Sequence, residues 1–279
     1  MATTEITALN ELLYRLKLFR CLMSRNFSRL CSLFFLLLTG TTAWAQKSVV
    51  DKAKLNDCYR VVGKDSVVFF YSADYTLTPA GCATIRRHVR LDSAGKFFGY
   101  VRDFRLTNNQ PVLRGAYRAG RKEGLFEVYH ATGELAARGH YRQGRQVGDW
   151  AYWYPSGNRR QVLSFQDGQD PLVQQFWDEA GQQLVVNGNG TWHREELGLR
   201  LRGAVVNGIP DGRWQLRRIK DESIVARETF AKGHFRNGII VNNMESYQDE
   251  SRIFIADWED YSHAEDYEVG AVCPPIPVK

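Results

Sequence analysis

Gly115-Ala-Tyr117-Arg-Ala-Gly120-Arg-Lys-Glu-Gly124-Leu-Phe126 is the first of three stretches of this chain that align without a gap. The other two are Gly139-His-Tyr141-Arg-Gln-Gly144-Arg-Gln-Val-Gly148-Asp-Trp150 and Gly203-Ala-Val205-Val-Asn-Gly208-Ile-Pro-Asp-Gly212-Arg-Trp214. All three read G-x-[Y/V]-x-x-G-x-x-x-G-x-[F/W]. Internal repeats are typical of stacked arrays, in which no unit buries its own apolar face alone. The pattern therefore predicts a repeat architecture.

Each repeat unit has the features of a β-hairpin. One strand carries Tyr117 or Tyr141, the loop lies between the second and third Gly, and the returning strand carries the last aromatic residue. Elsewhere, short apolar runs such as 67–71 and 85–91 alternate with Gly- and Asp-containing turns at roughly eight- to twelve-residue spacing. We therefore predict an all-β fold, in which repeated antiparallel hairpins form an elongated β-meander sheet.

Alternation along the returning strands separates two faces of the predicted sheet. The first face carries the pairs Phe126/Val128, Trp150/Tyr152 and Trp214/Leu216, and we expect it to be buried. The second face carries Tyr129, Trp153 and Arg217, and Trp177 extends this series at the same 24-residue spacing that separates Tyr129 from Trp153. These four residues form the candidate interaction face. The competing interpretation is cross-strand packing that stabilises a single-layer sheet.

The start of the chain has the three regions of a secretory signal peptide. A short apolar run at 33–38 follows Arg25 and Arg29 and precedes the small-residue cleavage signal Ala43-Trp-Ala45. We predict a signal peptide over residues 1–45, with cleavage after Ala45 and a secreted or periplasmic product. A start at Met23 would give a leader of ordinary length. An uncleaved membrane anchor is the alternative.

The charge and the cysteines of the remaining chain give no support for a nucleic-acid, metal or cofactor partner. Residues 46–279 contain 32 Lys and Arg against 29 Asp and Glu, so their formal net charge is only +3 and gives no support for a nucleic-acid partner. Cys58, Cys82 and Cys273 lie in this part, and we predict a Cys58–Cys82 disulfide, with Cys273 free or near a flexible end. No Cys/His spacing typical of a metal site occurs, so we predict neither a metal nor a cofactor.

Three regions follow the leader. Residues 46–110 form an N-terminal β region, residues 111–240 contain the hairpin repeats with a looser insertion at 160–200, and residues 241–279 form an acidic cap and tail. The tail contains Asp257-Trp-Glu259-Asp260 and Glu265-Asp266, and blocks of like charge often mark interaction segments. We expect a strand at 252–256 to cover the open edge of the array.

Motifs of known chemistry do not occur. The six histidines show no H-E-x-x-H spacing, and the chain has no G-x-S-x-G elbow, Walker loop or nucleotide fingerprint. The nearest to a constellation is His193-Arg-Glu195-Glu196, which we interpret as a polar strand end. The sequence therefore predicts a protein without enzymatic activity and without catalytic residues.

The repeat resembles the MORN repeat (membrane occupation and recognition nexus), in its bacterial variant from exported and antitoxin-like (YwqK-type) proteins. The matching residues are Gly115/Tyr117/Gly120/Gly124, Gly139/Tyr141/Gly144/Gly148 and Gly203/Val205/Gly208/Gly212. The last Gly of the usual pattern is replaced by Phe126, Trp150 and Trp214, which weakens any transfer of phospholipid binding. The resemblance implies an array of β-hairpins and an association with the cell envelope or a membrane surface, and it is nearly silent on activity.

Three functions are consistent with these features. The first is an exported scaffold that binds an unknown protein partner at the envelope of a Gram-negative bacterium. The second is an antitoxin or immunity-like protein, which should be cytosolic and keep residues 1–45. The third is an envelope enzyme or a carbohydrate-binding envelope module that stacks sugars on Tyr129, Trp153 and Trp177.

Overall fold

The structure is a computed structural model, and it describes residues 54–166 and 169–252. The predicted signal peptide, Cys273, the acidic tail from residue 253 and most of the predicted strand at 252–256 lie outside the described residues. Within the described part, no helix is long and apolar enough to span a membrane.

Seventeen strands follow one turn of 3-10 helix (Leu55–Cys58) in the described residues. They are β1 (Tyr59–Val61), β2 (Ser66–Tyr71), β3 (Ile85–Leu91), β4 (Phe97–Arg105), β5 (Pro111–Arg118), β6 (Arg121–Tyr129), β7 (Leu135–Arg142), β8 (Arg145–Trp153), β9 (Arg159–Phe165), β10 (Leu172–Trp177), β11 (Gln183–Val186), β12 (Asn189–Glu196), β13 (Leu199–Val206), β14 (Ile209–Arg218), β15 (Ile224–Ala231), β16 (His234–Ile240) and β17 (Glu245–Tyr247).

Each strand pairs antiparallel with the next strand of the sequence, from β1–β2 through to β16–β17. The predicted all-β meander of hairpins is therefore confirmed. Residues 160–200, set apart in the sequence as a looser insertion, contain β10, β11, β12 and most of β9 within the same sheet. The four-residue strand β11 is the shortest of these.

The predicted loop between the second and third glycines of the repeat is wrong, because β6, β8 and β14 begin directly after the second glycine. The two glycines have different structural roles. The second ends a two-residue turn with two positive φ angles, as in Gln143-Gly144 (52° and 83°), the type I′ geometry that matches strand twist. Its amide also donates to the preceding hairpin, Gly144 N–H to the Lys122 carbonyl at 2.9 Å and Gly120 N–H to the Phe97 carbonyl at 3.0 Å. The third, such as Gly148 (φ 65°), lies where the register shifts. Glycine adopts such φ values at little steric cost.

The first glycine of each repeat makes room for the last aromatic residue. A β-carbon at Gly115, Gly139 or Gly203 would overlap the ring on the neighbouring strand, which belongs to Phe126, Trp150 or Trp214 respectively. Each ring thus lies flat over the backbone of its own hairpin partner. The first glycine and the last aromatic residue of the motif therefore pack against each other, although the whole hairpin separates them in the sequence.

The rings form a ladder on one face of the sheet. In the N-terminal half, the Tyr117–Phe126, Phe126–Tyr141 and Tyr141–Trp150 centroids are 5.8, 4.8 and 5.1 Å apart in edge-to-face geometry. Such pairs stabilise a core beyond the area that they bury. The predicted inner-face residues Phe126, Val128, Trp150, Tyr152 and Trp214 are buried in one contiguous core, and Leu216 packs against it half-buried.

A single sheet buries this inner face because it is strongly coiled. The Trp192 indole N–H on β12 donates to the Gln161 side chain on β9 at 3.0 Å, although these strands are three apart in the sheet. A flat sheet would separate them by roughly 14 Å. Strong twist and coiling of this kind are expected of a long antiparallel meander.

The predicted Cys58–Cys82 disulfide is wrong. Cys58 is a free thiol, fully buried in the hydrophobic core, and its Sγ lies 3.6 Å from the Lys54 carbonyl of the same turn. Cys82 does form a disulfide, but not with Cys58. The two segments are neighbours, since Ala80 N–H donates to the Asp57 carbonyl at 3.3 Å. The helical turn directs the Cys58 thiol into the core instead of toward Cys82.

Candidate functional site

The outer face, opposite the ring ladder, carries the side chains that are open to a partner. An arginine directly precedes the first glycine of every repeat, at Arg114, Arg138 and Arg202. Because neighbouring residues of a strand point to opposite faces, these three lie on the outer face. The Arg-Gly dipeptide is visible in each copy of the repeat. Whether its arginine is exposed can be decided only when the buried face of the sheet is known.

The four residues of the predicted interaction face are all half-buried. The Tyr129 ring lies under the Arg114 guanidinium at 5.0 Å, and its hydroxyl donates to Glu127 at 2.9 Å. Burial, with a further contribution from Glu127, raises the pKa of Tyr129 to about 12. The Trp177 ring faces Arg159 at 5.9 Å, and Arg217 donates to the Gln215 side chain and the Glu222 carbonyl.

The 24-residue spacing of these aromatic residues has a structural explanation. His130 Nε2 lies 2.9 Å from the Trp153 carbonyl, and the Tyr154 hydroxyl donates to the Trp177 carbonyl at 2.8 Å. The residue after one ring thus bonds the backbone of the next ring, so that successive turns at one edge of the sheet are joined. The 24-residue spacing therefore reflects hydrogen bonds between successive turns. The rings of Tyr129, Trp153 and Trp177 take part in packing within the protein.

Two other aromatic side chains are more open. Phe98 and Tyr100 on β4 are 44% and 56% exposed. The Arg90 guanidinium lies 5.6 Å from the Phe98 ring, and that of Arg102 lies 6.0 Å from the Tyr100 ring. We call Arg90, Phe98, Tyr100 and Arg102 the aromatic patch. Sequence reasoning missed it because β4 precedes the recognisable repeats.

A second feature of the outer face is a depression of about 490 Å³ over β12, β13 and β14. Its lining consists of Thr191, Arg200, Arg202, Gly203, Arg213, Gln215, Arg217 and Glu222. We call it the basic depression, because four of these side chains are guanidiniums and one is a carboxylate. The predicted face residue Arg217 belongs to it.

Buried charged groups on the inner side are paired within the protein. Arg87 and Asp103 are fully buried and form a two-pronged ion pair, with Nε to Oδ1 and Nη2 to Oδ2 both at 2.8 Å. The Tyr75 hydroxyl donates to Asp103 Oδ2 at 3.1 Å. Burial, and then the Asp103 charge, raise the pKa of Tyr75 well above its ordinary value. This cluster holds β3 to β4 and has no opening toward a substrate.

Glu228 is the corresponding buried acid near the C-terminal end of the described residues. Its carboxylate accepts hydrogen bonds from the Tyr247 hydroxyl at 2.7 Å, the Ser251 hydroxyl at 2.6 Å and the Arg252 backbone N–H at 2.6 Å. These donors come from β17 and from the segment after it. The contacts fasten the last strand to β15, which is a structural role.

The polar side chains around His193 make contacts within the protein. The His193 ring packs edge-on against Phe176 with centroids 5.0 Å apart, and burial lowers its pKa. Glu195 accepts a hydrogen bond from Arg200 at 2.6 Å, and Glu196 pairs with Arg194 at 2.8 Å. Throughout residues 54–166 and 169–252, no three His, Cys, Asp or Glu side chains are grouped so that they could hold a metal ion.

Comparison with known proteins adds no family to this description. The chain matches no protein-family model, and a search of characterised proteins gives no significant match. The functional proposal therefore rests on the fold, the aromatic patch and the basic depression.

Proposed function

We propose that this protein is a non-enzymatic, exported binding scaffold, which holds a partner protein on the outer face of its β-meander at the bacterial cell envelope. The observation that carries the proposal is the aromatic patch. Aromatic and arginine side chains are the residue types that dominate interface hot spots. Here two exposed rings and two guanidiniums stand together on a rigid sheet.

The contrast between the two faces supports a binding role for the outer face. The inner face is filled by the ring ladder and by paired charges, and its core residues are at most 8% exposed. Cross-strand pairs hold the backbone of β3, β4 and β5, so that little ordering is needed on binding. Pre-organised surfaces of this kind bind at a lower entropic cost.

The leader sequence and the repeat pattern support the location. The signal-peptide features of residues 1–45 favour export, and the resemblance of the repeats to the MORN variant favours a role in macromolecular binding. For the carbohydrate-binding alternative, Tyr129, Trp153 and Trp177 are the intended platform, and all three are half-buried. Arginine side chains cover two of these rings. The aromatic patch therefore favours the protein-binding scaffold.

Site-specific crosslinking in the native cells tests the proposal. A photo-crosslinking amino acid is placed at Tyr100, and as a matched control at the similarly exposed Val186. We expect a discrete protein adduct in the envelope fraction from position 100 only, and its loss when Phe98→Ser is added. The same adducts from both positions, or none from position 100, would refute the scaffold function on this face. An adduct with a cytosolic toxin, with residues 1–45 retained, would favour the antitoxin alternative.

A further inference from the structure

The basic depression lies on different strands from the aromatic patch, and its charges are unevenly compensated. Arg200 is bound by two carboxylates, Glu195 at 2.6 Å and Glu222 at 2.8 Å. Arg217 is held by the Gln215 side chain and the Glu222 carbonyl. Half of the arginines thus already have acceptors from the protein.

The other two arginines, Arg202 and Arg213, are exposed and have no hydrogen bond or ion pair within the described part of the chain. Arginine presents a planar fork of donors that matches a carboxylate in two-pronged fashion. The depression therefore contains two open carboxylate-binding groups next to Arg200, where carboxylates are already bound.

The register sets the spacing of these two open groups. Arg202 on β13 lies opposite Gln215 on β14, and Arg213 lies two residues before Gln215 on the same face. Arg213 lies at the bulge where this register shifts, so Arg202 and Arg213 are diagonal neighbours across a bulge, and such positions are roughly 7–8 Å apart in a regular ladder. In an extended peptide, side chains two residues apart point the same way and are separated by nearly the same distance, about 7 Å.

We propose that the basic depression is a binding site for an extended acidic segment of a partner protein. Two carboxylates at alternate positions of that segment bind Arg202 and Arg213, while Thr191 and Gln215 offer neutral hydrogen-bonding groups beside them. The site goes beyond the scaffold function proposed above, because it is a separate surface with its own ligand. It can bind such a segment whether or not the aromatic patch has a partner.

Fluorescence anisotropy with the purified chain from residue 46 to residue 279 tests this site. The probe is a labelled, otherwise Gly/Ser peptide with four acidic residues at alternate positions, and the comparison peptide has the same residues with the acids consecutive. We expect tighter binding of the alternating peptide, and a loss on the order of tenfold or more in the R202Q/R213Q variant, as for truncation of charge pairs at interfaces. R202K/R213K, which keeps the charge but not the fork, should bind with intermediate affinity.

A matched control removes the same charge elsewhere. Arg118 and Arg142 are exposed residues at the ends of β5 and β7, so R118Q/R142Q should leave the affinity within about twofold of the unchanged protein. Circular dichroism of all variants checks the fold. If R202Q/R213Q were misfolded, protection of the two arginines from a guanidine-modifying reagent by the alternating peptide would give the same information.

Four results would overturn the proposal. The first is equal affinity for the two peptides, and the second is equal weakening by both glutamine variants; either would mean unspecific electrostatic attraction. The third is tighter binding to phosphatidylglycerol vesicles or duplex DNA than to the alternating peptide, with dependence on Arg202 and Arg213. The fourth is peptide binding that occurs only after Asp257→Asn, Glu259→Gln and Asp260→Asn, because the occupant would then be the acidic stretch of this chain.

Discussion

Replacing Gly139 by alanine tests the central packing unit of the fold. A β-carbon at this position would lie less than 3.0 Å from the Trp150 ring, closer than real β-carbons approach their neighbours. The ring cannot move away easily, because it is 1% exposed and packs against Tyr141 and Phe165 at 5.1 and 6.2 Å between centroids. Its indole N–H also donates to the His140 carbonyl at 3.1 Å. One methyl group should therefore distort β7 against β8.

The expected cost follows from overpacking. Inserting a methyl group into a well-packed core costs about 1–3 kcal/mol, and the reduced entropy of the unfolded chain offsets only ~0.4–1 kcal/mol of it. We therefore expect Gly139→Ala to lower the free energy of unfolding by about 1–2 kcal/mol. Gly148→Ala, which meets no atom but has φ at 65°, should cost about 1–2 kcal/mol through backbone strain alone.

Urea unfolding monitored by circular dichroism and tryptophan fluorescence gives the first measurement. Repeat arrays can unfold unit by unit, so hydrogen exchange of the β7 and β8 amides gives the local free energy. Gly81→Ala is the matched control, because Gly81 has open space around it and no positive φ. The reasoning is refuted if Gly139→Ala is as stable as Gly81→Ala. It is also refuted if Gly139→Ala costs as much in a Trp150→Leu background, where the ring is absent.

Three further predictions concern buried polar groups. Arg87→Met should destabilise the protein by about 3–5 kcal/mol, because it leaves the Asp103 carboxylate buried without its partner, and Arg87→Met/Asp103→Leu should recover most of that loss in thermal unfolding. Glu228→Leu should speed hydrogen exchange selectively in β17, since the Tyr247 hydroxyl loses its acceptor; unchanged exchange there would contradict the fastening role. Cys58 should react with iodoacetamide far more slowly in the folded than in the urea-unfolded protein, because burial, and then a neighbouring carboxylate, raise the pKa of its thiol.

Much of the fold could be predicted from glycine and aromatic spacing. The existence of a hairpin in each repeat follows from the glycine spacing, but the loop was predicted too late in the chain: the two-residue turns end at Gly120, Gly144 and Gly208, where two consecutive positive φ angles occur. The buried face also follows, since alternation fixes which side chains share a face once the strand is known. These are local rules, and they act over a few residues.

The exposure of the candidate interaction face, the state of Cys58 and the aromatic patch could not be predicted, because they depend on contacts between residues that are distant in the sequence. The spacing of Tyr129 and Trp153 was visible, but whether their rings face a partner or lie under an arginine depends on Arg114, from a different strand. The orientation of the Cys58 thiol likewise depends on the core around it. Phe98 and Tyr100 were overlooked because their strand lacks the repeat, although register with β5 places it in the same sheet.

The departures from the repeat at β15 and at β3 and β4 share one feature, a buried charged side chain. One cross-strand row reads Trp192, Gly203, Trp214, Glu228, Gly238, Tyr247, so the glycine expected on β15 is replaced by a buried acid. The ring–glycine pair then recurs one strand later, where a β-carbon at Gly238 would overlap the Tyr247 ring.

A repeat array can extend its packing indefinitely unless its end units differ from the middle ones, and capping units are accordingly more polar. Glu228 provides such a difference, because it needs donors that another hairpin of the same kind would not supply. Tyr247, Ser251 and Arg252 supply them and lie across the end of the ring ladder. The Arg87–Asp103 pair has the same effect on β3 and β4, in the row where later hairpins carry Leu113 and Val128. Buried charge thus interrupts this cross-strand row near both ends of the repeats, while the aromatic core continues beyond it through Phe69 on one side and Tyr247 on the other.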